Sequence, residues 1–158
     1  MKPVTFLGDT KARLKAVPSS ARNELGVELM KVQFGEEPTD WKPMPGIGKA
    51  ALQTNLRSHM EKSENFTNVW DALADSPEEA RNLTMRAELM ISIGKAVRDW
   101  DVTQGEAAKR LSLTRPRMND LLRSKINKFS LDALTTLAHR AGLTVKMSVK
   151  KANVKLAA

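Results

Sequence analysis

The stretch from residue 103 to residue 123, TQGEAAKRLSLTRPRMNDLLR, constrains this chain more than any other. It predicts two short helices joined by a tight turn, the second of them basic. Thr103 is placed to cap the first helix. Its hydroxyl can accept a hydrogen bond from a first-turn N–H, and Glu106, three residues on, can return one. Ala107, Ala108 and Leu111 follow as an apolar stripe at helical spacing, and the alanines are small enough to let a second helix cross closely. Ser112 and Leu113 make the turn. Thr114 caps the second helix, which carries Met118, Leu121 and Leu122 inward and Arg115, Arg117 and Asn119 outward. A helix of this kind can lay its N-terminal residues in a DNA major groove. Arg and Asn are side-chain types that make paired hydrogen bonds to guanine and adenine edges.

These residues resemble the helix-turn-helix of the XRE, lambda-repressor-like family. The resemblance continues through Ser124-Lys125-Ile126 and SLDALTTLAHRAG. Upstream, FTNVWDALADSPEEARNL is similar to the start of HigA-type antitoxins, so residues 60–151 resemble a complete antitoxin of that group. Two positions depart from the family pattern: Ser112 and Ser124 stand where glycine is common, and a non-glycine residue in left-handed geometry costs roughly 1 kcal/mol.

The resemblance implies a mainly α protein, a lambda-repressor-like helix-turn-helix domain with a C-terminal strand. It implies a sequence-specific antitoxin that represses its own operon. Such a protein binds a palindromic operator in double-stranded DNA as a homodimer, with half-sites spaced by about 34 Å, one helical turn. Arg115, Arg117 and Asn119 would read bases, while Thr103, Gln104, Thr114, Arg123, Lys125 and Lys128 would hold phosphates or cap the helices that do. No cofactor or metal is implied.

The charge is uneven in a way that bears on this. The net charge is +8, but residues 60–80 hold one Lys against six Asp or Glu, a net of −5. Residues 81–158 hold 16 Lys or Arg against 6 Asp or Glu, a net of +10. A positive surface gains affinity for a phosphate backbone by counterion release. A merely solvated surface would carry the same charge; its coincidence with the motif favours nucleic acid. With no Cys, a disulfide framework, a thiolate nucleophile and a Cys-based zinc site are excluded, which suits a reducing cytoplasm. No run suggests a signal peptide or approaches the ~20 apolar residues of a membrane span.

The N-terminal segment is of another kind. VTFLG predicts a short strand, Lys11 to Val17 a helix, and Pro18-Ser19-Ser20 the start of a second helix ending near Gly35. Ala21, Leu25, Glu28, Leu29 and Val32 give that helix a partly apolar face, and EEPTDWKPMPGIG reads as a loop. This order, with the string DWKPMPGIG, resembles the N-terminal half of HigB-type toxins of the RelE superfamily, Gp49-like branch. The resemblance stops near Gly48, before the strands that supply RNA-cleaving residues in that family. Residues 49–59 fit neither family, and Met60 stands where a separate antitoxin would start. A toxin gene lacking its 3′ part and joined in frame to an antitoxin gene accounts for this; an engineered junction is the rival, since His-Met is a common vector scar. The division expected is 1–48 toxin remnant, a small incomplete α+β fragment; 49–63 linker; 64–80 acidic arm; 81–151 DNA-binding domain; and 152–158 tail.

In the arm, Phe66, Val69, Trp70 and Leu73 form a candidate surface for a HigB-type toxin, against the alternative of a first helix packed on its own domain. The arm is expected to dock on residues 1–48 through the face bearing Leu25, Leu29 and Val32, with Asp71 and Asp75 toward Lys11, Arg13 and Lys15. Ser76-Pro77-Glu78-Glu79 starts a long helix to about Trp100, with Leu89, Met90, Ile93 and Val97 inward and Arg86, Lys95 and Arg98 outward. Ile126 and Phe129 anchor a loop. Ser130 caps a last helix through Leu131, Leu134, Leu137 and Ala138, and Gly142 stops it. Val145, Met147 and Val149 alternate with Lys146, Ser148 and Lys150, predicting a half-buried strand over 143–150. A lone strand needs a partner, most simply its copy in a second subunit.

Catalytic sets are missing. His59 and His139 lie too far apart in sequence for a local metal motif, and Gly46-Ile47-Gly48 is too short for a phosphate loop. Glu36, Glu37 and Asp40 read as solvated loop carboxylates, and Trp41 and Trp70 as packing anchors. No enzyme activity is expected. The competing functions are a toxin-neutralising module without DNA binding and, less favoured, a fused messenger-RNA-cleaving toxin.

Overall fold

A computed structural model describes residues 1–39 and 63–149. The linker at 49–62, Trp41, Asp40, His59, the glycine pair near residue 47 and the 152–158 tail lie outside those residues. The elements run β1 (Val4–Leu7), α1 (Thr10–Ala16), α2 (Ser19–Phe34), β2 (Ser63–Phe66), α3 (Val69–Leu73), α4 (Pro77–Asp99), α5 (Gln104–Arg110), α6 (Arg115–Leu122), a 3-10 turn (Ile126–Lys128) and α7 (Leu131–Arg140). The protein is mainly helical, as expected.

Local chemistry accounts for most of the boundaries. Thr103 and Glu106 form the reciprocal capping box at α5. Ser76, Thr114 and Ser130 each accept from a backbone N–H at the starts of α4, α6 and α7. Pro77 and Pro116 sit in the first turns of α4 and α6, where a missing N–H costs nothing. Gly142, at φ 78°, ends α7.

The two described segments of the chain meet in a sheet. β1 pairs antiparallel with β2, Val4 opposite Phe66 and Leu7 opposite Ser63. Phe6 and Phe66 meet edge to face at 5.9 Å, and Lys11 lies over the Phe66 ring and pairs with Glu64. A two-stranded ribbon is marginal in water, and this one is supported by α2 and α3, where Trp70, Val69 and Leu73 are buried. One apolar cluster runs from Phe6 through Val27, Met30 and Trp70 to Met90, Met118, Phe129 and Leu134. The N-terminal segment is thus packed on the rest of the chain.

That packing departs from expectation in its face. Leu25 and Val32 are exposed, and α2 turns inward with Arg22, Asn23, Gly26, Val27, Met30, Lys31 and Gln33. The apolar spacing misled because much of the inward face is polar, with partners far along the sequence. Gln33 donates to the Thr67 and Lys2 carbonyls and accepts from the Val69 N–H. Arg22 pairs with Asp75, a role expected of Lys11, Arg13 or Lys15. Phe66, Val69, Trp70 and Leu73, expected from the sequence to form a partner surface, face the chain's own interior: Trp70 is 0% exposed and Phe66 half-buried.

Three further expectations fail. Arg86 does not face out: it is half-buried and donates to the Phe129 and Ile126 carbonyls, holding the loop after α6. Glu36, expected in water, pairs with Arg98. Residues 143–149 form no strand, and Val145, Met147 and Val149 are 40%, 74% and 89% exposed. A strand exists only where another backbone satisfies its N–H and C=O groups, and none of the described residues pairs with this segment.

Candidate nucleic-acid interface

The helix pair α5–α6 is the site the sequence pointed to. Ala107, Ala108 and Leu111 are buried beneath Met118 and Leu121, so the small residues of α5 let α6 cross closely. Ser112 makes the turn at φ 54° and Ser124 follows α6 at φ 59°. Both occupy the left-handed geometry in which glycine costs least, at roughly 1 kcal/mol each.

Arg115 and Asn119 on α6, and Arg123 at its C-cap, are exposed. Arg115 lies against Gly105 at the start of α5, about the nearest side chain a Cβ there would meet. Arg117 is placed differently: its guanidinium stacks on the Phe129 ring at 4.3 Å and donates to the Lys128 carbonyl at 2.8 Å. Arg117 therefore ties α6 to the following loop. Thr103 and Thr114 serve as caps, and Gln104 stands exposed at the first position of α5.

Lys125 and Lys128 share one partner that sequence reasoning missed. Asp120, nearly buried on α6, accepts from Lys128 at 2.8 Å and lies 3.6 Å from Lys125. The Lys128 hydrogen bond, with the charges of both lysines, holds the Asp120 carboxyl below its usual range. The only hint in the sequence was an acid five and eight residues before two lysines.

A second network ties α2 to the exit of α6. Lys31 Nζ donates to Glu28, Thr39 and the Ser124 hydroxyl, at 2.9, 2.5 and 2.7 Å. Asn23 donates to Asn127, and Asn127 donates to the Ser20 carbonyl. Burial raises the Glu28 pKa, but bonds from Ser124, the Thr39 N–H and Lys31, with the Lys31 charge, outweigh it and leave it lowered. A lowered folded value means that stabilisation is complete above the unfolded carboxylate's titration and is lost as pH falls through the folded one. Glu28→Gln should therefore lose less stability than the parent between neutral pH and about pH 3, read as a smaller drop in urea midpoint. Equal drops would remove Glu28 from the acid response.

Among the described residues, no three His, Asp or Glu gather as a metal site would require, and His139 is exposed on α7. Among the same residues no helix is long and apolar enough to cross a membrane.

The comparison with known families bears on this geometry. A family profile described as a helix-turn-helix domain, HTH_37, matches residues 72–150. The chain belongs to this helix-turn-helix family. The match takes in α4 to α7 and supports the XRE-like reading of α5 and α6, with DNA as the partner. No curated protein matches the chain.

Proposed function

We propose that this helix-turn-helix protein is a sequence-specific antitoxin and autorepressor of a HigBA-type operon, with residues 1–48 a toxin remnant without catalysis. The observation that carries the DNA-binding part is the exposed row Arg115, Asn119 and Arg123 along α6 and its C-cap, with α5 and α6 each started by a capping threonine. In this reading Arg115 and Asn119 read bases, and Arg117 shapes the surface from its seat on Phe129. The protein acts in the cytoplasm as a homodimer on a palindrome. The exposed alternation Val145, Met147, Val149 supports a dimer contact in which the same segment of a second copy supplies the missing strand. A toxin-binding role for the acidic arm rests on the resemblance of residues 66–83 alone.

A gel shift with the DNA upstream of the gene, run beside a messenger-RNA cleavage assay, tests the proposal. The chain should retard that DNA and leave the RNA intact; cleavage by a highly purified sample would revive the toxin reading. Lys125 and Lys128, replaced together by Ala, should flatten the dependence of log affinity on log salt by about two units. An unchanged slope would leave the two lysines with Asp120 and off the DNA.

A further inference from the structure

The loop that follows α6 is held from two sides. From within the matched helix-turn-helix domain, Arg86 of α4 takes the Ile126 and Phe129 carbonyls. From outside that domain, α2 takes two other positions. Ser124 is 1% exposed and left-handed, and its hydroxyl accepts from Lys31 Nζ at 2.7 Å. The same hydroxyl bonds the Glu28 carboxylate. Lys31 is itself buried, and its three ammonium protons are matched by Glu28, Thr39 and Ser124. Further along, the Asn127 side chain accepts from Asn23 at 2.9 Å and donates to the Ser20 carbonyl at 3.0 Å. Both ends of the turn 124–127 are therefore fastened to one helix. Lys125 stands between the two anchors and Lys128 directly after them, with side chains 34% and 50% exposed.

We infer that residues 1–39 serve DNA binding: α2 is a brace that sets the turn 124–127, and Lys31 and Asn23 are positioning residues for Lys125 and Lys128. The inference rests on the reading of those two lysines as phosphate contacts and goes beyond it by giving the N-terminal segment a role. Serine at position 124 is the reason a brace is needed. A glycine there would take the left-handed turn at no steric cost. A serine meets that cost, and among the described residues its buried hydroxyl finds its side-chain partners on α2. With α2 withdrawn, the hydroxyl would lose those partners and the turn would lose what offsets its strain. The shape of the loop thus depends on residues outside the family domain. A lysine meets a phosphate as a point charge on a flexible stem, so a displaced loop loses the contact with both lysines still in the chain.

Gel shifts with the full-length chain test this, on the upstream DNA and on a random duplex of the same length, over a range of salt. Lys31→Met combined with Asn23→Ala should bind both DNAs roughly tenfold more weakly. It should also flatten the dependence of log affinity on log salt by about one to two units. Binding is compared where each variant keeps the helical circular dichroism signal of the unaltered chain, so that a loss of stability alone leaves affinity unchanged. Adding Ser124→Gly, which supplies the turn without the brace, should recover most of the loss. Asn23→Ala by itself, expected to bind about threefold more weakly, carries the test if the pair prevents folding. Unchanged affinity and slope in a folded variant, or a loss that Ser124→Gly does not recover, overturns the inference. Replacing Lys125 and Lys128 reports on the underlying reading separately. An unchanged slope there takes the two lysines off the DNA and the brace with them; flattening there with none in the Lys31 and Asn23 variant overturns the brace alone.

Discussion

Replacing Trp70 by alanine is expected to destabilise the protein by about 3–5 kcal/mol, the range for truncating a large buried aromatic side chain. Trp70 is 0% exposed and joins three parts of the molecule: it covers Gly26 of α2, its indole N–H meets Met30, and α3, which carries it, packs on α4. A cavity at that point cannot collapse easily, because Gly26 brings no side chain to fill it. The loss should appear as a lower urea midpoint with the helices of 77–140 retained at low denaturant. A change below about 1 kcal/mol would place Trp70 outside the shared core, since substitutions away from such features stay within that range.

Arg115→Ala should weaken binding to the preferred operator by about 1–3 kcal/mol, with far less effect on random DNA. Arg115 is exposed at the first position of α6. That is the end of the helix which enters the major groove in proteins of this architecture. Arg117→Ala makes the contrast. Its guanidinium already serves Phe129 and Lys128, so its removal loosens the loop and lowers affinity for specific and random DNA alike. Competition gel shifts with both DNAs separate the two residues. Equal losses for Arg115 on both DNAs would assign it to phosphate.

The sequence by itself determined the elements whose causes are local. Thr103 with Glu106, Ser76 before Pro77, Thr114 and Ser130 start their helices because the capping group and the N–H it serves lie within three residues. The Ala107–Ala108 pair and Leu111 disclosed the crossing of α5 and α6 for the same reason: the stripe lies within one helix. Ser112 and Ser124 could be placed at left-handed turns, and there they stand.

What the sequence left undecided depends on partners tens of residues away. SENF has one apolar residue in four and reads as nothing in particular; it is a strand because Val4–Leu7 lies beside it. The inward face of α2 is set by Asp75, Thr67, Val69, Ser124 and Asn127, and no periodicity within α2 announces them. Arg117 and Arg86 read as outward cations, yet the ring of Phe129 and the open carbonyls of the loop at 126–129 draw both in. The segment 143–149 has the alternation of a strand but pairs with none of the described residues. Apolar spacing reports which side of an element avoids water, but a buried hydrogen bond or ion pair is worth its burial only against a particular partner. The tertiary structure alone supplies that partner.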